Sequence, residues 1–274
     1  MKKFKLLFVL FLGVGLTFAS CKKDDNNDDD GNGGNPPATT KTCYVVKENN
    51  SDGSYVNITY NSDHKVISSE EFSSTGNLIE KREIIYSDNN VSKVNIYEDG
   101  KVSTKFEFKY SDKLDSAILY IDTLGSLTKM GYYLYSYNGD KISKFSMFVE
   151  FFGQTIEFSR NEYEYNGENV SKLSVYELGG VASLNLVSTL DLEYDDKINP
   201  YRNIGINDLL GGIQYMSKNN VTKITYKDAD GNVDDSKSNN IVFEYNSDNY
   251  FTKYVETNFD NSVTKTISID YECE

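Results

Sequence analysis

The residues able to do chemistry in this chain are few, and their spacing argues against most reactions. His64 is the only histidine, and it stands in the polar run Asn61-Ser62-Asp63-His64-Lys65, where a solvated turn residue is expected. A Ser-His-Asp relay needs its imidazole buried and oriented. A zinc centre needs more ligands than one histidine and the widely separated Cys43 and Cys273 supply. Glu70/Glu71 and Glu162/Glu164 are candidate carboxylate pairs for glycoside hydrolysis, which requires two acids flanking one bond. Carboxylates on the wet face of a strand are the simpler reading of both. Asp228, Asp230, Asn232 and Asp234 space oxygen ligands for a hard cation such as calcium, yet the run lacks the closing Glu of an EF-hand, and Asp230-Gly231-Asn232 also suits a hairpin turn. With no Gly-rich phosphate loop either, the chain is read as a non-enzyme without a cofactor.

Composition sets the scale of what holds these residues. The chain has 274 residues with 38% hydrophobic and 14% aromatic content, including 22 Tyr and 15 Phe but only 3 Pro, which is a folded chain rich in β-formers. Lys plus Arg is 28 against 42 Asp plus Glu, for a net charge of −14. Such a surface repels phosphate backbones, so nucleic acid is excluded as a partner.

The first residues carry an address. Lys2, Lys3 and Lys5 precede the apolar run Leu6 to Leu16, too short to span a bilayer and suited to a cleaved export signal over residues 1–20. Phe18-Ala19-Ser20-Cys21 resembles the lipobox of bacterial lipoproteins, which implies cleavage before Cys21 and acylation of its thiol. Loss of the three signal lysines would take the net charge from −14 to −17. Lys22-Lys23-Asp24-Asp25 is similar to the tag that sends lipoproteins of certain gut Gram-negative anaerobes to the cell surface, with retention on the periplasmic face as the alternative. Residues 21–42, acidic and rich in Gly and Pro, read as the lipidated anchor and a flexible tether. Asp115-Ser116-Ala117 and Asp122-Thr123-Leu124 also resemble the short acceptor used for O-glycosylation in such bacteria.

Residues 43–274 form a repeat. Tyr60-Asn-Ser-Asp, Tyr86-Ser-Asp-Asn, Tyr110-Ser-Asp-Lys, Tyr137-Asn-Gly-Asp, Tyr165-Asn-Gly-Glu, Tyr194-Asp-Asp-Lys and Tyr245-Asn-Ser-Asp each end one strand in a tight turn. The first six are spaced by 26, 24, 27, 28 and 29 residues. Second turns lie at Thr75-Gly76-Asn77, Glu98-Asp99-Gly100, Leu124-Gly125, Phe152-Gly153, Gly179-Gly180 and Asp230-Gly231-Asn232. Alternation, as in Phe106, Phe108 and Tyr110 against Lys105, Glu107 and Lys109, gives each strand one buried and one wet face. The expected fold is all-β: about twelve to fourteen strands in an up-and-down antiparallel sheet of tyrosine-led hairpins, curled or closed to protect its edges. If the first and last strands become neighbours, Cys43 and Cys273 would meet in a disulfide, an exported chain being an oxidising context. The interval 198–216 breaks the rhythm and reads as a plug or flap, with Pro200 outside any ladder and Asp208 capping one helical turn.

The tyrosine-turn-hydrophobic units resemble the YD repeats of Rhs-type shell proteins, although Lys or Asn replaces the usual Gly-Arg. Tyr194-Asp-Asp-Lys-Ile-Asn-Pro-Tyr201 and Ser217-Lys-Asn-Asn-Val-Thr-Lys-Ile-Thr225 are similar to a family of bacterial lipoproteins of unknown function described as having a porin-like fold. That resemblance implies a porin-like barrel and an outer-membrane location, and no activity. Because charged residues occupy the second face of the strands, the barrel is read as soluble with its apolar face inward. Three functions follow in order: a membrane-anchored, surface-exposed module binding a glycan, peptide or apolar ligand; a structural or adhesive coat protein; and an unrecognised hydrolase.

Overall fold

The computed structural model describes residues 41–151, 153–180, 183–204 and 212–274. The signal segment 1–20, Cys21 and nearly all of the tether lie outside them, as do Asn207 to Gly211, where the helical turn is expected. The strands are β1 (Cys43–Asn50), β2 (Tyr55–Tyr60), β3 (Val66–Phe72), β4 (Leu78–Ser87), β5 (Asn90–Glu98), β6 (Lys101–Tyr110), β7 (Leu114–Thr123) and β8 (Ser126–Asn138). They continue as β9 (Lys141–Phe151), β10 (Gln154–Asn166), β11 (Asn169–Leu178), β12 (Leu184–Tyr194), β13 (Val221–Asp228), β14 (Asn239–Tyr245), β15 (Phe251–Asn258) and β16 (Thr264–Cys273). Each pairs antiparallel with its sequence neighbours, and β16 pairs with β1, so the sheet is a closed sixteen-stranded up-and-down barrel. The expected count of twelve to fourteen strands is too low. Tyr271, at the end of β16, is an eighth landmark beside the seven read from the sequence, and eight hairpin units make sixteen strands.

One geometry explains the repeat. A tyrosine ends each even-numbered strand, and a bulge falls beside it, as where Ile85 pairs with Lys93 but Tyr86 with Val91, leaving Ser92 unpaired. Ser143, Ser171, Thr222 and Thr252 are skipped in the same way. A bulge residue leaves a carbonyl without its ladder partner, and the Ser92 and Ser143 hydroxyls donate to Ile85 O and Ser136 O, at 3.0 and 3.2 Å. The tyrosine hydroxyl reaches back across its hairpin to the opening residue of the previous strand. Tyr60 donates to Val45 O, Tyr86 to Val66 O, Tyr137 to Leu114 O, Tyr165 to Ile142 O, Tyr194 to Val170 O and Tyr271 to Phe251 O, at 2.6 to 3.0 Å. Lys65, Lys113 and Lys141 lie over the rings of Tyr86, Tyr137 and Tyr165 and donate to the carbonyls of Asn89, Gly139 and Gly167 in the next turn. That next turn is left-handed, as at Asp88 (φ 52°) and Asn89 (φ 68°), which is why Asn, Asp and Gly recur after each tyrosine.

The seam obeys the same rule. Val45 pairs with Tyr271 and Lys47 with Asp270, with Val46 skipped. Residues 45–47 thus stand to Tyr271 as Val91-Ser92-Lys93 stand to Tyr86. Where a hairpin would have its turn, the chain has instead a disulfide between Cys43 and Cys273, with Cα atoms 4.1 Å apart.

The inner face is apolar and the outer face charged. Ile84, Val94, Ile96, Phe106, Phe108, Ala117, Leu119, Leu173, Val175, Leu192, Ile267 and Ile269 are buried in one continuous core, each large side chain contributing roughly 1.5–3 kcal/mol. Outward-facing lysines and arginines pair with carboxylates around the circumference: Lys81–Glu70, Lys105–Glu107, Arg160–Glu162, Lys223–Glu193, Lys227–Asp191 and Lys253–Glu244, at 2.5 to 3.0 Å. A lipid-facing barrel needs an apolar band there, and these ion pairs interrupt one.

Candidate functional site

Strand direction sorts the barrel into two ends. The chain enters β1 and leaves β16 at the end that carries the tyrosines, and the connection from β12 to β13 starts and finishes there too. Its described residues, 195–204 and 212–220, form a plug. Asn199 accepts from the Tyr201 backbone and donates to the Ser217 carbonyl at 2.9 Å, pinching the two legs together. A 3-10 turn, Pro200–Ile204, and a short helix α1, Ile213–Met216, then rise into the lumen. Tyr201 and Ile204 are buried there, Tyr201 against Phe251 at 5.8 Å and Tyr215 at 5.8 Å between ring centres. At the neck Tyr245 donates to Asp195, which also accepts from the backbone and side chain of Asn220, so this one tyrosine serves the plug instead of a strand carbonyl. Among the described residues the other end carries hairpin turns and no second plug.

Above the plug one sector of the otherwise apolar inner face, on β1, β15 and β16, is polar. Glu48 on β1, Tyr254 and Glu256 on β15 and Lys265 on β16 share the inward phase with Ile267 and Ile269, since Glu48 pairs with Ile269 and Glu256 with Lys265. The Tyr201 hydroxyl lies beside the Glu48 carboxylate. Burial pushes the Glu48 carboxyl above the usual range, with the Tyr201 hydroxyl and the Lys265 charge opposing; burial raises Glu256 likewise, opposed by Lys265. The same burial drives the Tyr201 and Tyr254 phenols far above 10. Glu48, Tyr215, Tyr254, Glu256 and Lys265 are nonetheless only half-buried by surface. These inward-facing side chains thus keep contact with solvent. Arg82 also faces inward and pairs with Glu80 at 2.6 Å.

The candidates from sequence lie elsewhere. His64 is exposed at the tyrosine end, stacked on Tyr44 at 4.5 Å and 3.2 Å from the Glu274 carboxylate. Glu70, Glu162 and Glu164 face outward, each beside a cation (Lys81, Arg160 and Lys172), so neither pair flanks a shared cleft. The outer groove of about 470 Å³ near Glu162, Glu164, Lys172 and Tyr176 is open to solvent. Asp228 to Asp234 form a turn: the Asp228 carboxylate accepts from the Asp230 and Asn232 backbones, at 3.0 and 2.8 Å, and from the Asn232 amide. Asp234 turns to Ser236 and Lys237 instead. The four oxygen-bearing side chains therefore do not converge, and no group of three or more acidic, His or Cys ligands occurs among the described residues. Asp122 accepts from the Gly125 backbone at 2.7 Å and Thr123 bonds Thr128, while Ser116 sits on an outward strand position.

The lumen cluster escapes a sequence reading for a structural reason. Bulges between Val45 and Lys47 and beside Phe251 shift the alternation, so Glu48 and Glu256 look outward in a strict period of two. Lys265 is the legible member, in phase with Ile267, Ile269 and Tyr271.

Among the solved structures that share this fold are two porin-like proteins. A porin-like protein from Bacteroides vulgatus ATCC 8482 matches with a TM-score of 0.55 and 12% identity, covering 84% of this chain and 99% of that one. A porin-like protein from Bacteroides uniformis ATCC 8492 matches with a TM-score of 0.54 and 13% identity, covering 86% and 99%. No protein-family model matches the chain, and no curated protein matches it.

Proposed function

We propose that this protein is an outer-membrane lipoprotein, displayed on the cell surface through Cys21, and that its barrel is a binding module without catalytic activity. One observation carries the reading: both barrel termini and the plug lie at the same end. A lipid at Cys21 and the tether of residues 21–42 therefore hold the closed end toward the membrane and turn the polar sector of the lumen away from it. The ion-paired outer face supports a body standing in water, and the leash sets its distance. The ligand classes are a glycan, a peptide or an apolar molecule. The test is fractionation of the Cys21→Ala variant with protease treatment of intact cells: the wild type should sediment with outer membranes and be digested from outside, and the variant should be released or left unprocessed. A variant that stays in the outer-membrane fraction at unchanged amount and mass removes the anchor. Protection of the wild type on intact cells moves it to the periplasmic face.

A structural or adhesive coat role is the second reading, favoured by the repeated Tyr, Ser and Lys residues, which hold hairpins together and present nothing to a partner.

A further inference from the structure

Within the binding-module reading, on which this step rests, we infer that the site is a water-accessible space above the plug, bounded by Glu48, Glu256, Lys265, Tyr201, Tyr215 and Tyr254, and that it takes a neutral polyhydroxylated ligand, a saccharide. The decisive feature is what these groups do not bond. The Glu256 carboxylate and the Lys265 ammonium make no hydrogen bond or ion pair with the described residues, although both point inward and pair across the same two strands. Glu48 has the Tyr201 hydroxyl of the plug beside it, and its carboxylate keeps further lone pairs for a ligand. The space thus offers strong acceptors and a strong donor side by side.

That pairing selects the ligand class. An apolar molecule would strip water from three charged groups and replace none of its hydrogen bonds. A simple cation would serve the two carboxylates and repel Lys265, and a simple anion would do the reverse. A zwitterion such as an amino acid matches both signs but must lose the hydration of its own two charges. A hydroxyl donates and accepts at once and carries no charge, so a sugar satisfies Glu256 and Lys265 together at the least desolvation cost. The phenol rings of Tyr201, Tyr215 and Tyr254 supply apolar faces for its C–H surfaces. Entry is from the end away from the tether, because the plug fills the other. The raised Glu48 and Glu256 carboxyls agree with this, as a protonated acid still bonds a hydroxyl.

The experiment is binding of the full-length protein in detergent to an array of neutral glycans, to the standard free amino acids and to laurate, repeated with Glu256→Gln and Lys265→Met. The expected result is at least one neutral glycan bound by the wild type and weakened about tenfold or more in both variants, with an unchanged circular dichroism spectrum. Should one variant fail to fold, Lys265→Gln gives the same readout. The proposal is overturned if amino acids bind in place of glycans, or if glycan binding survives both substitutions, since the site then lies on another face; the binding-module reading stands in either case. No binding from any of the three sets overturns both and leaves the coat role.

Discussion

The tyrosine that closes each even-numbered strand acts through its hydroxyl and its ring at once. In six of the eight the hydroxyl satisfies a carbonyl near the start of the previous strand, and burial pushes the latch phenols of Tyr86 and Tyr194 up to about 12. Replacing Tyr86 or Tyr165 with Phe keeps the ring and removes the bond, so each should cost about 1 kcal/mol in urea denaturation. A change near zero in both would make the latch decorative. The raised phenols also fix a pH response. A phenol whose folded value exceeds its unfolded value of about 10 contributes stability that is intact below pH 10 and lost as the pH climbs toward 12. Denaturant midpoints should therefore fall across that window, and an ultraviolet titration should show the latch tyrosines ionising after the exposed ones. Glu256 works the same way at lower pH: half-buried and without a hydrogen-bond or ion-pair partner among the described residues, it favours the folded state when protonated, so this contribution is lost as pH rises through its raised value. Glu256→Gln should raise the thermal midpoint at pH 8 more than at pH 4, and the opposite order would mean the carboxylate has a partner when folded. These tyrosines were legible in the sequence because all repeat one environment. Glu48 and Glu256 were hidden because a bulge reverses the face of a residue without changing its neighbours in sequence.

At the scale of elements, the Ser or Thr that recurs after five of the turns is the bulge residue, and the Asn, Asp and Gly run is the left-handed turn. Both follow from residue type and were readable as a repeat. The strand number was not, because β1 has no turn before it and β16 none after it, so the unit shared between them is invisible until the sheet closes. Gly131 marks another constraint. It pairs with Val149 between β8 and β9, and a Cβ there would collide with the Phe148 carbonyl, an atom held in the ladder. Gly131→Ala should destabilise the barrel by roughly 1–3 kcal/mol, measured by chemical denaturation. An unchanged midpoint would show that β8 and β9 can part without loss. The plug follows from Pro200, which a central strand excludes; its inward course depends on Asn199, Ser217 and Asn220 and has no signature in a pattern of alternation.

At the scale of the whole molecule, closure is the property on which everything else depends. A sheet open between β1 and β16 would expose two ladder edges, let water into the apolar core and leave no lumen above the plug. The disulfide holds that seam at the point where the tether begins, and in the chain-entropy limit a loop spanning 230 residues stabilises the fold by about 5 kcal/mol, less where the reduced chain keeps structure. The most direct test is a thiol titration of protein extracted from membranes and unfolded without reductant. With the Cys21 thiol consumed by the proposed lipidation and Cys43 and Cys273 by the seam, the account predicts no reactive thiol before reduction and two after it. Two or more thiols before reduction would contradict it, because the seam would then be unbridged and the barrel's end-to-end closure would lose its covalent clasp.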